Sequence, residues 1–179
     1  MNKFLGSRFL GSRFFGARLF AVCGAVMVFL MHAPACGVAA EPIAVFDFAL
    51  VDTSPAPPSA AERARLAALG EELRARLAQS GRYRIVAIAP LASALAASPD
   101  IMNCNGCERE FAKQLGAQAA AYGWVQKVSD LILNINVVIE EVASGRRVAA
   151  GSVDIRGNTD ESWRRGLDYL IEERLLPNP

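Results

Sequence analysis

Beyond residue 40, apolar residues recur with two different periods, and these predict the elements of the fold. Short apolar runs and strict alternation of apolar and polar residues indicate β-strands, whereas apolar residues three and four positions apart indicate helices. The strand patterns cover 43–51, 83–88, 117–128, 131–142 and 147–155. The helix patterns cover 59–79, 90–97, 108–115 and 160–176. Because helices alternate with strands early and a meander follows, we expect an α/β (α+β) fold: a mixed five-stranded sheet with helices packed on it.

The first and last helices have recognisable beginnings and buried faces. Ser59 and Glu62 have the spacing of a capping box. Asn158 is predicted to cap the last helix, whose positive end would favour the carboxylates of Asp160 and Glu161. The predicted buried positions are Leu66, Leu69, Leu73 and Leu77 in the first helix, and Trp163, Leu167, Leu170, Ile171 and Leu175 in the last.

Asp47 interrupts the otherwise apolar first strand. A carboxylate in an apolar strand has to be paired or exposed, because burying an unpaired charge is costly. We therefore expect an arginine partner for Asp47 and no catalytic role.

The first forty residues have the pattern of an export signal. Three pentads ending in arginine make residues 1–18 basic, and 19–31 form a 13-residue stretch without charge. That stretch is shorter than the about 20 residues of a membrane-spanning helix. Small residues at positions 38 and 40 favour cleavage after Ala40. We predict a signal peptide over 1–40, followed by one domain over 41–179 that has no integral membrane span.

Two alternatives to cleavage after Ala40 remain open. Cys36 could be the lipidated residue of a lipoprotein, although proline two positions before it is unusual there. The leader could also stay attached as an amino-terminal anchor. In each case the basic flank stays inside and the domain lies outside the cytoplasm, so the predicted location is periplasmic.

Composition excludes several kinds of chemistry. The single histidine, His32, lies in the leader, so residues 41–179 contain none. This argues against a Ser-His-Asp triad, histidine-ligated zinc and covalent haem attachment. The patterns Gly-x-Ser-x-Gly and Gly-x-Gly-x-x-Gly are also missing. Residues 41–179 carry 15 basic and 18 acidic side chains, a balance that does not favour nucleic acid. We predict no catalytic residue, no cofactor and no enzymatic activity.

Cys104 and Cys107 are the only cysteines beyond the leader. In an oxidising compartment such a close pair most often forms a small disulfide. Because Cys107 directly precedes a predicted helix, a redox-active dithiol is the alternative. Zinc is a further alternative, but two thiolates leave it two ligands short, and only carboxylates such as Glu108 and Glu110, or a second chain, could complete the set. We predict a structural disulfide and no metal site.

The fourth predicted strand offers a candidate polar binding surface. Its alternation places Asn134 and Asn136 on one face, where two amides could bind a polar ligand or a partner. Gln126 and Lys127 on the preceding strand would extend this surface. The alternative is an ordinary solvated face of the sheet.

A second polar cluster surrounds the start of the last helix. Asp154, Asn158, Asp160 and Glu161 lie within eight residues, and their oxygens could hold a hard cation. The alternative assigns Asn158 and the carboxylates to helix capping, and Asp154 to Arg156 or another basic group. Trp163 flanks this cluster as a possible ligand platform, although Trp163 and Trp124 are both more typical of a core.

Three stretches resemble the TolB amino-terminal and CsgG-like domains. The opening strand at 43–48 reads Ile-Ala-Val-Phe-Asp-Phe, residues 72–86 join a leucine-rich helix to a strand through Ser-Gly-Arg, and 112–125 contains Leu-Gly-Ala followed by Gly-Trp-Val. Across 42–176 the chain is similar to a bacterial family of predicted periplasmic proteins of unknown function. That resemblance rests on 103–108, 123–128 and 152–163, and it implies a TolB amino-terminal-like fold and a compartment but no reaction.

Taken together, these features favour a periplasmic, non-enzymatic binding or assembly module. Its partner is expected to be a periplasmic or envelope protein, recognised by an exposed sheet edge or by the loop around Cys104. One alternative is a thiol-disulfide factor that uses Cys104 and Cys107. Another, implied only by the resemblance, is an accessory protein of a periplasmic quinoprotein alcohol-oxidation system.

Overall fold

The computed structural model describes residues 39–55, 57–98, 101 and 104–177. The predicted leader lies outside the described residues, except for its last two positions. The strands are β1 (Glu41–Val45), β2 (Ala49–Asp52), β3 (Tyr83–Val86), β4 (Ala119–Lys127), β5 (Ile132–Glu141) and β6 (Arg147–Arg156). The helices are α1 (Ala60–Gln79), α2 (Ala92–Ala97, after a 3-10 turn at Ala89–Leu91), α3 (Cys107–Gln114) and α4 (Asp160–Leu170), which continues as a π-helical turn over Ile171–Leu175.

The strands form one mixed sheet in the order β3-β1-β4-β5-β6. β1 pairs in parallel with β3 and β4, β2 pairs in parallel with β4, and β4, β5 and β6 form an antiparallel meander. The predicted α+β class and mixed sheet are confirmed. Six strands replace the five predicted because the first predicted strand is divided into β1 and β2.

The division of the first strand is a bulge of one extra residue. Val45 lies opposite Ala121 and Ala49 lies opposite Trp124, so three residues on one strand face two on the other. Within the bulge, exposed Asp47 forms the predicted ion pair with Arg74 on α1. The ring of Phe48 lies so close to Gly123 that a Cβ at residue 123 would collide with it.

Helices α1 and α4 cover one face of the sheet and form the larger core with it. Leu69, Leu73 and Leu77 of α1 are buried as predicted, and Leu66 is partly buried. The predicted apolar positions of the last helix are all at most 1% exposed. The change from α-helix to π-helical turn after Leu170 keeps Ile171 and Leu175 directed at the sheet. Each such side chain contributes about 1.5–3 kcal/mol by leaving water.

The opposite face of the sheet is covered only in part. A smaller core joins Ala44, Phe46 and Ala120 of the sheet to Ala112 of α3. On β6 the same face is exposed at alternate residues, Ala150, Ser152 and Asp154. Among the described residues, no helix is both long and apolar enough to cross a bilayer.

Candidate functional site

The uncovered side of the meander, here called the open face, is built by the alternation of side chains along β4, β5 and β6. The register aligns its residues in rows across the three strands. One row contains Gln126, Asn134 and Asp154, the next Trp124, Asn136 and Ser152, and the next Tyr122, Val138 and Ala150.

The amides of the open face hold one another in fixed orientations. Asn134 donates to Asp154 Oδ1 at 2.8 Å, and Asn136 donates to Asn134 Oδ1 at 2.5 Å. The hydroxyl of Ser152 donates to the same Asn134 oxygen at 3.1 Å. The two asparagines predicted from the sequence therefore share one surface with Gln126, as expected. Asp154 belongs to this network and pairs with an amide, not with the basic group that was predicted.

Lys127 does not belong to the open face. As the neighbour of Gln126 on a strand it points to the opposite side, beneath the start of α1, and it is 3% exposed. Its Nζ lies 2.7 Å from Glu62 Oε1, 3.2 Å from Asp130 and 3.7 Å from Asp52. The sequence prediction that Lys127 extends the surface of the two asparagines is therefore wrong, and the reason is the two-residue period of the strand.

The buried ion cluster perturbs its own ionisable groups. Burial by itself would raise the pKa of Glu62, but hydrogen bonds from Lys127, the Ser59 backbone amide and Asn158 outweigh it and lower that pKa to about 2. The hydrogen bond to Glu62 raises the pKa of Lys127. Both groups stay charged at neutral pH, so Glu62 completes the predicted capping box with Ser59 while it neutralises Lys127.

Asn158 joins this buried cluster and does not cap α4. Its amide nitrogen donates to Glu62 Oε1 at 2.7 Å and to Asp130 at 3.2 Å, and its oxygen accepts from Trp163 Nε1 at 3.0 Å. The actual cap is Thr159, whose side chain accepts from the Ser162 amide. The capping prediction for Asn158 is wrong by one residue, because its side chain finds partners on other elements.

The predicted polar cluster near α4 is consequently divided. Asp160 pairs with Arg65 of α1 at 2.7 Å, while Glu161 pairs with Arg165 of its own helix at 2.7 Å. Trp163 is 1% exposed and belongs to the core, so it is not a ligand platform. Arg65 also donates to Asn158 Oδ1 at 3.1 Å, so Asn158 and Asp160 share one cation, whereas Asp154 and Glu161 bind other partners.

Trp124 is partly buried on the open face, in contrast to Trp163. The sequence analysis favoured a core position for both tryptophans. With Tyr122, Trp124 lines a polar cavity of about 510 Å³ at the α3 end of this face. The cavity also contains two carboxyls and two guanidinium groups, from Glu108 and Glu140, and from Arg109 and Arg147.

The two carboxyl groups of the cavity are close together and nearly buried. Their side chains are 9% and 7% exposed for Glu108 and Glu140 respectively. The Nε of Arg109 lies 4.0 Å from Glu108 Oε1 and 3.9 Å from Glu140 Oε1. Burial raises the pKa of Glu140 to about 7, and the adjacent Glu108 adds to this through a hydrogen bond and its charge. The sequence analysis did not name Glu140 as a site residue. The feature of the sequence that pointed to it is a charged residue within an apolar strand.

The cysteine pair encloses Asn105 and Gly106, two residues that line the same cavity. Cys104 and Cys107 are joined as a disulfide with a Cα–Cα distance of 5.6 Å. The loop between them turns through left-handed backbone at Asn105 and Gly106, and Cys107 is the first residue of α3. The Sγ of Cys104 lies 3.9 Å from Glu108 Oε2. The structure is in accord with the predicted disulfide, while a redox role stays a prediction.

A protein family of unknown function matches most of the sequence. The family DUF3280, described as "Protein of unknown function (DUF2380)", matches residues 41–175. The chain belongs to this family. A comparison with curated proteins found no match.

Solved structures provide weak similarities. The LpoB C-terminal domain from Salmonella enterica is 21% identical with a TM-score of 0.49, over 68% of this chain and 87% of that chain. Lipoprotein GNA1162 from Neisseria meningitidis is 15% identical with a TM-score of 0.48, over 67% and 83%. TolB from Acinetobacter baumannii is 10% identical with a TM-score of 0.39, over 75% of this chain and 28% of TolB. No functional conclusion follows at these levels.

Proposed function

We propose that this protein is a periplasmic, non-enzymatic binding or assembly module that recognises an envelope protein through the open face. The observation that carries this proposal is the composition of the face, where partly exposed Trp124 lies beside the hydrogen-bonded Asn134 and Asn136. Tryptophan and tyrosine are enriched at protein interfaces because they combine a large apolar area with a polar group. A rigid amide row next to such a ring can provide directional hydrogen bonds to a partner.

The edge of the sheet supports the same assignment. β6 ends the strand order and carries Ser152 and Asp154 of the open face. A partner segment that lies across the face can therefore also pair with the outer edge of β6, which pairs with no further described strand, as extended peptides do in β-augmentation. Asn158, Lys127 and Trp163 are excluded from this proposed surface, since they belong to the buried cluster and the core.

The proposed location rests on the leader and on the disulfide. Residues 1–40 would act as a signal peptide cleaved after Ala40, leaving 41–179 as a single domain. β1 begins at Glu41, so this cleavage leaves all six described strands in the domain. The bond between Cys104 and Cys107 is typical of an oxidising compartment. Fractionation of the native host, with amino-terminal sequencing, should recover a periplasmic protein that begins at Glu41.

Site-specific photo-crosslinking tests the binding face. Ser152 is exposed on the open face, and Ser93 is exposed on α2, so the same photoreactive residue can replace either. In the native host we expect one discrete protein adduct from position 152 and none from position 93. The variant Ser152→Arg should then lose co-purification of that partner, and Ser93→Arg should keep it. An adduct from position 93 alone, or an unchanged yield with Ser152→Arg, would refute the open face.

A further inference from the structure

The cavity at the α3 end of the open face is lined by two charged groups that the described residues leave without close partners. One is the carboxyl of Glu140, whose side chain is more than nine-tenths buried and whose Oε1 has no hydrogen-bond partner among those residues. Its ion pair with Arg109 Nε, at 3.9 Å, is longer than a hydrogen bond. The other is the guanidinium of Arg147, which forms no ion pair or hydrogen bond within the described ranges. A buried carboxylate oxygen without a donor costs free energy, and a ligand that donates to it removes that cost.

A β-bulge brings these two charges to the same place. Ile139 lies opposite Ala149 on β6. The next residue, Glu140, lies opposite Arg147, so Val148 is the extra residue of the bulge. Without the bulge, alternation would set the apolar Val148 opposite Glu140 on the open face. Opposite residues of an antiparallel pair have Cβ atoms about 4.5–5.5 Å apart, so these two side chains can reach one small ligand. Bulges are common next to active sites, where they redirect a side chain.

Arg109 forms part of the wall of the cavity. Its guanidinium fills space that two glycines leave, since a Cβ at residue 106 would lie 3.0 Å from Nη2 and a Cβ at residue 145 would lie 2.9 Å from Nη1. Its Nε lies 4.0 Å from Glu108 Oε1 as well as 3.9 Å from Glu140 Oε1. Arg109 therefore serves the two carboxyls of the cavity together, and Arg147 is the cation that remains for an added anion.

We propose that this cavity binds a free α-amino acid, with the ligand's ammonium group at Glu140 and its carboxylate at Arg147. The ammonium group donates the hydrogen bond that the buried carboxyl lacks, and a guanidinium binds a carboxylate through two parallel hydrogen bonds. The two charged groups of an α-amino acid are attached to one carbon, which suits two side chains that lie opposite each other. Because two carboxyls and two guanidinium groups line the cavity, a ligand without net charge also preserves their balance.

The size and the aromatic wall of the cavity agree with a ligand of this class. Its volume of about 510 Å³ lies within the range of ligand pockets, about 300–1,000 Å³. Tyr122 and Trp124 line it beside the charged groups, and aromatic rings stabilise an adjacent ammonium group. The proposal goes beyond the protein-binding role of the open face, and neither depends on the other.

Isothermal titration calorimetry on the purified full-length chain tests the site, with the common L-amino acids added one at a time. We expect at least one of them to bind, with one molecule per chain. Its N-acetyl derivative, which has no ammonium group, and its carboxamide, which has no carboxylate, should each bind at least about tenfold more weakly. Failure of every L-amino acid to bind at millimolar concentration, or undiminished binding of either derivative, would overturn the proposal.

Adjacent residues provide matched control variants. Glu140→Gln and Arg147→Gln should each weaken binding at least about tenfold. Glu141→Gln and Arg146→Gln break a neighbouring ion pair that does not line the cavity, and they should leave binding unchanged. Circular dichroism verifies that each variant folds, and the comparison of ligand derivatives needs no variant. Full affinity in Glu140→Gln or Arg147→Gln would contradict the assigned contacts, whereas photo-crosslinking at position 152 tests the protein partner separately.

Discussion

The ammonium group of Lys127 lies 2.7 Å from Oε1 of Glu62, and the two side chains are only 4% and 2% exposed. The same distance separates Arg165 from Glu161 on the surface of α4, where the side chains are 72% and 64% exposed. One ion pair is buried and the other is exposed, while their N–O distances are equal. A comparison of the two therefore shows how burial, at constant distance, changes the contribution of an ion pair to stability.

Lys127→Met should be strongly destabilising. It leaves the buried carboxylate of Glu62 without its main counter-charge, which typically costs about 3–5 kcal/mol. Arg165→Met, which breaks the exposed pair, should change the free energy of unfolding by less than about 1 kcal/mol. Urea unfolding of both variants measures the difference. Similar losses in the two variants would contradict the assigned role of burial.

The acid stability of the protein should depend on Glu62. Its folded pKa of about 2 lies below the ordinary value of 4.5, so the folded state favours the charged form. The resulting stability is fully present above pH 4.5 and is lost as the pH falls toward about 2. Glu62→Gln should have lower stability at neutral pH and a flatter fall between these limits. Unfolding at a series of pH values gives both curves, and parallel curves would exclude Glu62 as the titrating group.

Gly123→Ala should destabilise the bulge in the first strand. A Cβ at residue 123 would collide with the ring of Phe48 and with the carbonyl oxygen of Asn136, and such overpacking costs about 1–3 kcal/mol. The matched control is Gly70→Ala on α1, where the new Cβ meets only the flexible end of Arg74. Alanine favours the helix there, so stability should stay equal or rise by up to about 1 kcal/mol. Thermal unfolding distinguishes the two changes. Unchanged stability of Gly123→Ala would contradict the predicted collision with Phe48.

The disulfide should contribute modestly to stability if it is structural. It closes a loop of four residues, for which loop entropy predicts about 2 kcal/mol. The double variant Cys104→Ser/Cys107→Ser should lose that amount in chemical unfolding. Equilibration with glutathione gives the reduction potential, and a value below about −300 mV indicates a structural bridge. A potential well above that value would favour the thiol-disulfide alternative.

Sequence patterns predicted nearly every element because local periodicity and caps reflect local physics. The capping box at Ser59 and Glu62 fixed the start of α1, and the apolar spacing of the last helix identified its buried large apolar side chains. Alternation on β5 correctly placed Asn134 and Asn136 together. The same rule, applied to β4, would have separated Gln126 from Lys127.

The amino acids by themselves determined the periods of the strands and helices, the basic and then uncharged pattern of residues 1–31, and the lack of histidine in residues 41–179, since these depend only on residues near one another in the chain. The tertiary structure alone decided that Asn158 serves the buried cluster instead of the helix cap, and that Glu140 shares a cavity with Glu108 and Arg109. Those relationships depend on how α1 and α3 pack on the sheet and on the register of β5, and such long-range contacts leave no periodic signal in the sequence.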